Sequence, residues 1–331
     1  MKKRIWNTVQ GARYRKFRSV IISLILMGSY GILVAEIDKE TPSKRESKTL
    51  ADNVQGKIVF SSYRSGNWEL WSINPDGSEL TQLTYTKDEE RTPAWSPDGK
   101  KIAYSTNRGE IWIMNADGTG AKKLPLNLER NNQPVWSPDG RSIIFVSYVV
   151  VPKEDSDIWI WELGEETKKV RRMISQKEME GYPSFSPDGK QIAFTKLMLR
   201  LPERIVEEIW IFELETGECE QITTIGADIF QIDWSPLGDR LAFASNQTGN
   251  YDIWTITLDD RELKQLTNDP AFDGNPSWSP DGSKIVFVST RSGTKELWIM
   301  NADGSGKQQL TTNSICSKDP AWSPVREEGK R

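Results

Sequence analysis

Residues 93–114 read PAWSPDGKKIAYSTNRGEIWIM. Two short apolar runs flank S-P-D-G, and a second small turn leads into an I-W-I phrase. Proline presets φ, aspartate bonds to the backbone ahead of it and glycine takes the open conformation, so S-P-D-G reads as a tight turn between strands. The phrase recurs. WSPDG stands at 95–99, 136–140 and 278–282, FSPDG at 185–189, WSPLG at 234–238 and a bare WSP at 322–324. An I/L-W phrase follows in phase at 70–73, 111–114, 158–161, 209–212, 253–256 and 297–300, and a Q-L-T-like phrase closes each unit, as at 82–84, 265–267 and 309–311. Each unit therefore reads as four short strands: P-x-W-S, a β-branched run such as KIVFVST (284–290), the I/L-W strand and the Q-L-T strand. Four strands at a period of forty-odd residues is the pattern of propeller blades.

The ends of the repeat fix the count. The chain enters at Lys57 on a second strand, KIVFSSYR, and leaves on DPAWSP (319–324), a first strand with nothing after it. Placing the last strand in the first blade gives six blades and removes the exposed edges of an open array. The expected fold is an all-β, six-bladed β-propeller over 57–324. The blade shared between the two ends is counted as the sixth, and the others are numbered from Pro93. A charged tail, 325–331, follows.

The 331 residues include 14 Trp, 24 Gly and 17 Pro but no His. Without His there is no Ser-His-Asp triad, no Cys-His pair and no His-ligated metal. Carboxylate chemistry and oxygen-ligated Ca²⁺ pass this test. The formal net charge is −4, and residues 1–35 carry the basic residues Lys2, Lys3, Arg4, Arg13, Arg15, Lys16 and Arg18 and no acidic ones. The remaining body is more acidic than the whole, which argues against nucleic acid as a partner. Cys219 and Cys316 fall in repeats that are not neighbours, so no disulfide is expected between them.

An uncharged stretch, SVIISLILMGSYGILVA (19–35), follows the basic run. Residues 1–35 therefore read as a signal peptide or membrane anchor, and 36–56 as a polar linker. The positive-inside rule puts the remainder across the membrane, in the periplasm or at the cell surface.

The repeat P-x-W-S-P-D-G-x-x-I-x-F…I-W…D-G…Q-L-T resembles the TolB-type, WD-repeat-like propeller family over about residues 57–324. The resemblance implies the fold, and it implies protein binding more than chemistry. TolB itself carries an α/β domain before its propeller; here only about twenty polar residues separate the apolar stretch from the first strand. Oligogalacturonate lyases use related repeats but bind metal through His, which this sequence lacks.

The repeat Trp residues are expected to fill the spaces between blades, and Asp98, Asp139, Asp188 and Asp281 to hold their turns. Function is better sought where the repeat breaks. Second-to-third-strand connections are short in four blades, but blade two has YVVVPKEDSD (148–157) and blade three KLMLRLPERIVEE (196–208). Both insertions fall on one face of adjacent blades. They offer Val150, Val151, Leu197, Met198, Leu199, Leu201, Ile205 and Val206 as a partner surface. The same face is expected to be rimmed, at the channel mouth, by Glu90, Arg91, Asn132, Gln133, Glu180, Tyr182, Phe230, Gln231, Asp273, Asn275, Lys318 and Asp319. The leading expectation is a monomeric, non-catalytic propeller outside the cytoplasm that binds a protein segment, peptide or envelope component and holds no cofactor. The alternative is a Ca²⁺- or carboxylate-dependent hydrolase, lactonase or glycan-acting enzyme with its site in the central channel.

Overall fold

A computed structural model describes residues 55–149, 155–164, 170–176, 178–201 and 204–324. The leader, the apolar stretch, most of the linker and the tail lie outside the described residues, as do Val150 and Val151. The described chain forms six four-stranded antiparallel sheets. The first strands are Glu90–Trp95, Asn131–Trp136, Glu180–Phe185, Ile229–Trp234, Asp273–Trp278 and Ser317–Trp322. Each touches the first strand of the blade on either side, so the six line one central channel and close a ring. Sheet order then runs outward through second, third and fourth strands.

Blade six is shared as expected: Ser317–Trp322 pairs with Ile58–Ser62, with Ile58 opposite Trp322 and Ser62 opposite Ser317. The first strands begin earlier than the P-x-W-S phrase predicts. The two residues that open each first strand already pair with the second strand, and the register then shifts at a bulge. The third residue of every first strand has positive φ: Thr92 (47°), Gln133 (51°), Tyr182 (49°), Gln231 (56°), Asn275 (53°) and Asp319 (52°). Non-glycine residues rarely adopt this conformation, and here it recurs once per blade.

The second strands supply the core. Phe60, Phe145, Phe194, Phe243 and Phe287, one per blade, are fully buried, and Tyr104 takes that place in blade one. Each such ring contributes about 1.5–3 kcal/mol by leaving water. The repeat Trp residues join neighbouring blades: Trp278 donates its backbone N–H to Asp233 Oδ2 (2.7 Å) and its indole N–H to Asp233 O (3.2 Å). The turn aspartates act locally. Asp98 Oδ1 accepts from Ser96 Oγ (2.7 Å) and Lys100 N (3.0 Å), and Asp139, Asp188 and Asp281 repeat the pattern.

A carboxylate precedes every I/L-W phrase: Glu69, Glu110, Asp157, Glu208, Asp252 and Glu296. In four blades the next N–H donates to the closing Thr, as from Ile209 to Thr223 Oγ1 (2.8 Å) and Leu297 to Thr311 Oγ1 (2.9 Å). In three of them the Thr hydroxyl in turn donates to that carboxylate, at 2.5 Å for Glu208, 3.1 Å for Asp252 and 2.6 Å for Glu296, whereas Thr84 Oγ1 turns to Glu90. The carboxylate also accepts from the loop that leads to the next blade: Glu208 from Ile225 N and Gly226 N, Glu296 from Ser314 N. In blades three, five and six these buried carboxylates latch the loop that leads to the next first strand.

Candidate functional site

The twelve expected rim residues separate by their place along the first strand. Glu90, Glu180 and Asp273 stand first and are buried between blades rather than in the mouth, at 1%, 1% and 0% exposure. Each meets the carboxylate that precedes the I/L-W phrase of the preceding blade: Glu90 meets Glu69, Glu180 meets Asp157 and Asp273 meets Asp252. Three alternate interfaces therefore bury a carboxylate pair. Burial, reinforced by the neighbouring acid, pushes Glu90 and Glu180 up to about 8. Asp273 has a cation of its own, Arg291 at 2.6 Å.

Arg91, Asn132, Phe230 and Lys318 stand second. Arg91 and Lys318 converge on the Trp68 ring, at 5.0 and 4.8 Å from its centroid. Gln133, Tyr182, Gln231, Asn275 and Asp319 stand third, together with Thr92, which the sequence did not single out. These are the six residues of positive φ, and all line the channel. Asn275 Nδ2 donates to Asp319 Oδ1 at 2.7 Å, and Gln231 Nε2 reaches the same oxygen from two blades away at 3.4 Å. The Tyr182 backbone N–H donates to Gln133 Oε1 at 2.8 Å. The third residues thus form a polar collar that narrows the channel. A cavity of about 450 Å³ adjoins the collar and is walled by Pro93, Pro134, Pro183, Pro276, Pro320 and by Trp95, Trp234, Trp278 and Trp322. Its wall is mainly apolar. Asp233, pushed up to about 7 by burial, belongs to that wall but accepts from Trp278 N. Among the described residues no group of three or more Cys, Asp or Glu side chains is arranged to hold a metal ion.

In the described residues both insertions begin and end as strand extensions. The second and third strands lengthen to Ser142–Val149 with Asp155–Glu162 in blade two, and to Gln191–Leu201 with Arg204–Glu213 in blade three. The insertions alternate along paired backbone, so side chains diverge to two faces. Met198, Leu199 and Ile205 are 45%, 38% and 40% exposed; Leu197 is half-buried, Val206 is buried and Leu201 lies in the strand near the tip.

The sequence reading missed an aromatic cluster beside the mouth. Phe230 packs against Tyr182, Tyr251 and Phe272, with centroids 6.0, 4.9 and 6.2 Å away. Asp228 accepts the Tyr251 hydroxyl. Glu207, at the root of the blade-three extension, is pushed up to about 7 by burial and by the charge of Asp228. Tyr251, Phe272, Asp228 and Glu207 come from three blades, at places where the repeat has no fixed residue.

The TolB beta propeller domain matches residues 52–196 and 183–329. Among curated proteins, a TolB homologue of Chlorobium luteolum is 48% identical over 48 residues, which is 14% of this chain and 11% of that protein. A dipeptidyl-peptidase 5 of Porphyromonas gingivalis is 49% identical over 39 residues, 12% of this chain and 6% of that protein. The matched stretches span about a tenth or less of those relatives' lengths. Among solved structures, TolB from Acinetobacter baumannii superposes with a TM-score of 0.69 at 24% identity, covering 81% of this chain and 67% of that one. An oligogalacturonate lyase in complex with manganese gives 0.54 at 17% identity, covering 77% and 74%, so this frame is shared with an enzyme. The two domain matches together span the whole ring of blades, and the chain belongs to the TolB β-propeller domain family.

Proposed function

We propose that this chain is a non-catalytic binding propeller outside the cytoplasm, which holds a segment of a protein partner or an envelope component across the channel mouth and the blade-three extension. One observation carries the reading. A single side of the ring concentrates half-buried aromatic rings at Tyr182, Phe230, Tyr251 and Phe272 beside the exposed Met198, Leu199 and Ile205. Monomeric proteins seldom leave such a surface to water without use. The family supports the same reading, and the basic leader with its apolar stretch supports the location.

The test is photo-crosslinking of the full chain in its native cell, with the crosslinker at Met198 or Phe230. Specific adducts are expected at both positions and should fall several-fold in the triple variant Met198→Ser, Leu199→Ser, Ile205→Ser. An equal adduct pattern from a crosslinker on the opposite side of the ring, at Asp281, would overturn the reading.

A further inference from the structure

Phe230 is the centre of the aromatic cluster, and its neighbours on the channel rim leave room around it. Blades one and six put Arg91 and Lys318 at the second place of the first strand, whereas the blades on either side of Phe230 put Gly181 and Gly274 there. A Cβ at Gly274 would stand 2.6 Å from Phe272 Cζ and 3.3 Å from Phe230 Cζ, so these rings can lie where they do only over a glycine. A Cβ at Gly181 would meet only Thr195 Oγ1 and Gln133 Oε1, at 3.4 and 4.0 Å. The result is a shelf of rings with open space beside it.

The charge on this shelf is negative. Asp228 holds the Tyr251 hydroxyl, and Glu207 has one buried oxygen, Oε2, with no hydrogen-bond partner. Glu207 acts electrostatically on Tyr148, Tyr182 and Tyr251. Arg200 offsets part of the charge on Glu207. Ring faces are themselves electronegative, and a cation beside both rings and carboxylates gains from each. The protein already uses this chemistry nearby, with the Lys295 ammonium 4.5 Å from the Phe272 centroid.

We propose that the shelf receives a lysine or arginine side chain of the bound segment, its cationic head over Phe230 and Tyr182 beside Glu207 and Asp228. This inference rests on the mouth being the binding face, and it assigns the chemistry recognised there: a basic peptide. The Trp68 side of the mouth, with Arg91 and Lys318, is left for the segment's acidic or polar groups. Glu207 must be ionised to hold the guest, so affinity should rise between pH 6 and pH 8, the direction given by its raised position.

The test titrates the full chain in mild detergent with Ac-Gly-Gly-Lys-Gly-Gly-NH₂, with its norleucine and glutamate counterparts, and with tetramethylammonium chloride. The lysine peptide should bind about tenfold more tightly than the norleucine peptide. Phe230→Leu, Glu207→Gln and Asp228→Asn should each erase most of that margin while the unfolding midpoint stays within a few degrees, and Glu207→Gln should also flatten the pH dependence. Equal binding of lysine and norleucine peptides overturns the inference and leaves the mouth as a binding face intact. Lysine binding indifferent to all three substitutions, no lysine binding, or binding of tetramethylammonium alone overturns it as well.

Discussion

Glu296→Gln changes one atom type and should loosen the seam of the ring. Glu296 is 1% exposed and accepts from Thr311 Oγ1 (2.6 Å), Ser314 N (2.9 Å) and Ser314 Oγ (2.8 Å). Ser314 Oγ lies 3.1 Å from Ser317 Oγ, which in turn meets Ser62 Oγ at 3.0 Å across the closing pair of strands. The carboxylate therefore orders the loop that delivers the last strand to the first blade. A glutamine can keep Ser314 N on its oxygen, but it turns an NH₂ toward two hydroxyls and removes the charge from all three bonds. Hydrogen bonds to charged groups contribute about 1.5–3 kcal/mol and neutral ones about 1 kcal/mol, so the expected loss is about 2 kcal/mol. Glu296→Ala leaves the three donors without an acceptor and should cost about 4 kcal/mol. Urea unfolding gives both values, and amide exchange should quicken first at Ser314, Ser317 and Ser62. A glutamine variant within about 0.5 kcal/mol of the parent, or an alanine variant no worse than glutamine, would refute the latch account.

Two further outcomes follow from the buried interfaces. Glu90 stands at about 8 when folded, against an ordinary carboxylate value when unfolded. The folded state then binds the extra proton between about pH 4.5 and 8, and stability must fall as pH rises through that window, by up to about 1.4 kcal/mol per unit for this group. Glu90→Gln should flatten the slope and raise the urea midpoint at pH 8; a steeper slope would exclude the shared burial with Glu69. Trp322→Ala removes a 7%-exposed indole that packs with Ile58, Phe60 and Val288 at the seam and donates to Gln55 O. A loss of about 3–5 kcal/mol is expected by calorimetry or urea titration, and a loss below 1 kcal/mol would show that the seam does not carry the ring.

The architecture was legible because its signals repeat in phase. W-S-P-D-G or a near variant marks the first turns, I/L-x-F/Y each buried second-strand ring, and the unmatched DPAWSP finds its blade at KIVFSS. The site was harder to read. Glu90, Glu180 and Asp273 stand only one or two residues before the rim residues of their own strands, yet one step along a strand turns a side chain from the channel to the blade interface. The positive φ of Thr92, Gln133, Tyr182, Gln231, Asn275 and Asp319 follows from a bulge; five of the six precede proline and only one is asparagine, so no shared residue type announces it. KLMLRLPERIVEE shows no strand alternation of its own, so it reads as a long connection, whereas its described residues continue the pairing from Leu197 opposite Glu207 to Leu201 opposite Arg204. The Phe230 cluster left no trace in the periodicity, since its members sit where blades differ.

The collar separates shape from content. Thr, Gln, Tyr, Gln, Asn and Asp share one backbone conformation at six equivalent places, so the frame, and not the side chain, imposes the left-handed turn there. Asn and Asp accept it readily, while β-branched Thr92 and bulky Tyr182 bear strain of order 1–2 kcal/mol. Six addressable positions on a rigid wheel can therefore be rewritten one at a time, as letters in a combination lock, with the barrel of the lock unchanged. A Thr92→Asn replacement would even relax the wheel while altering one letter.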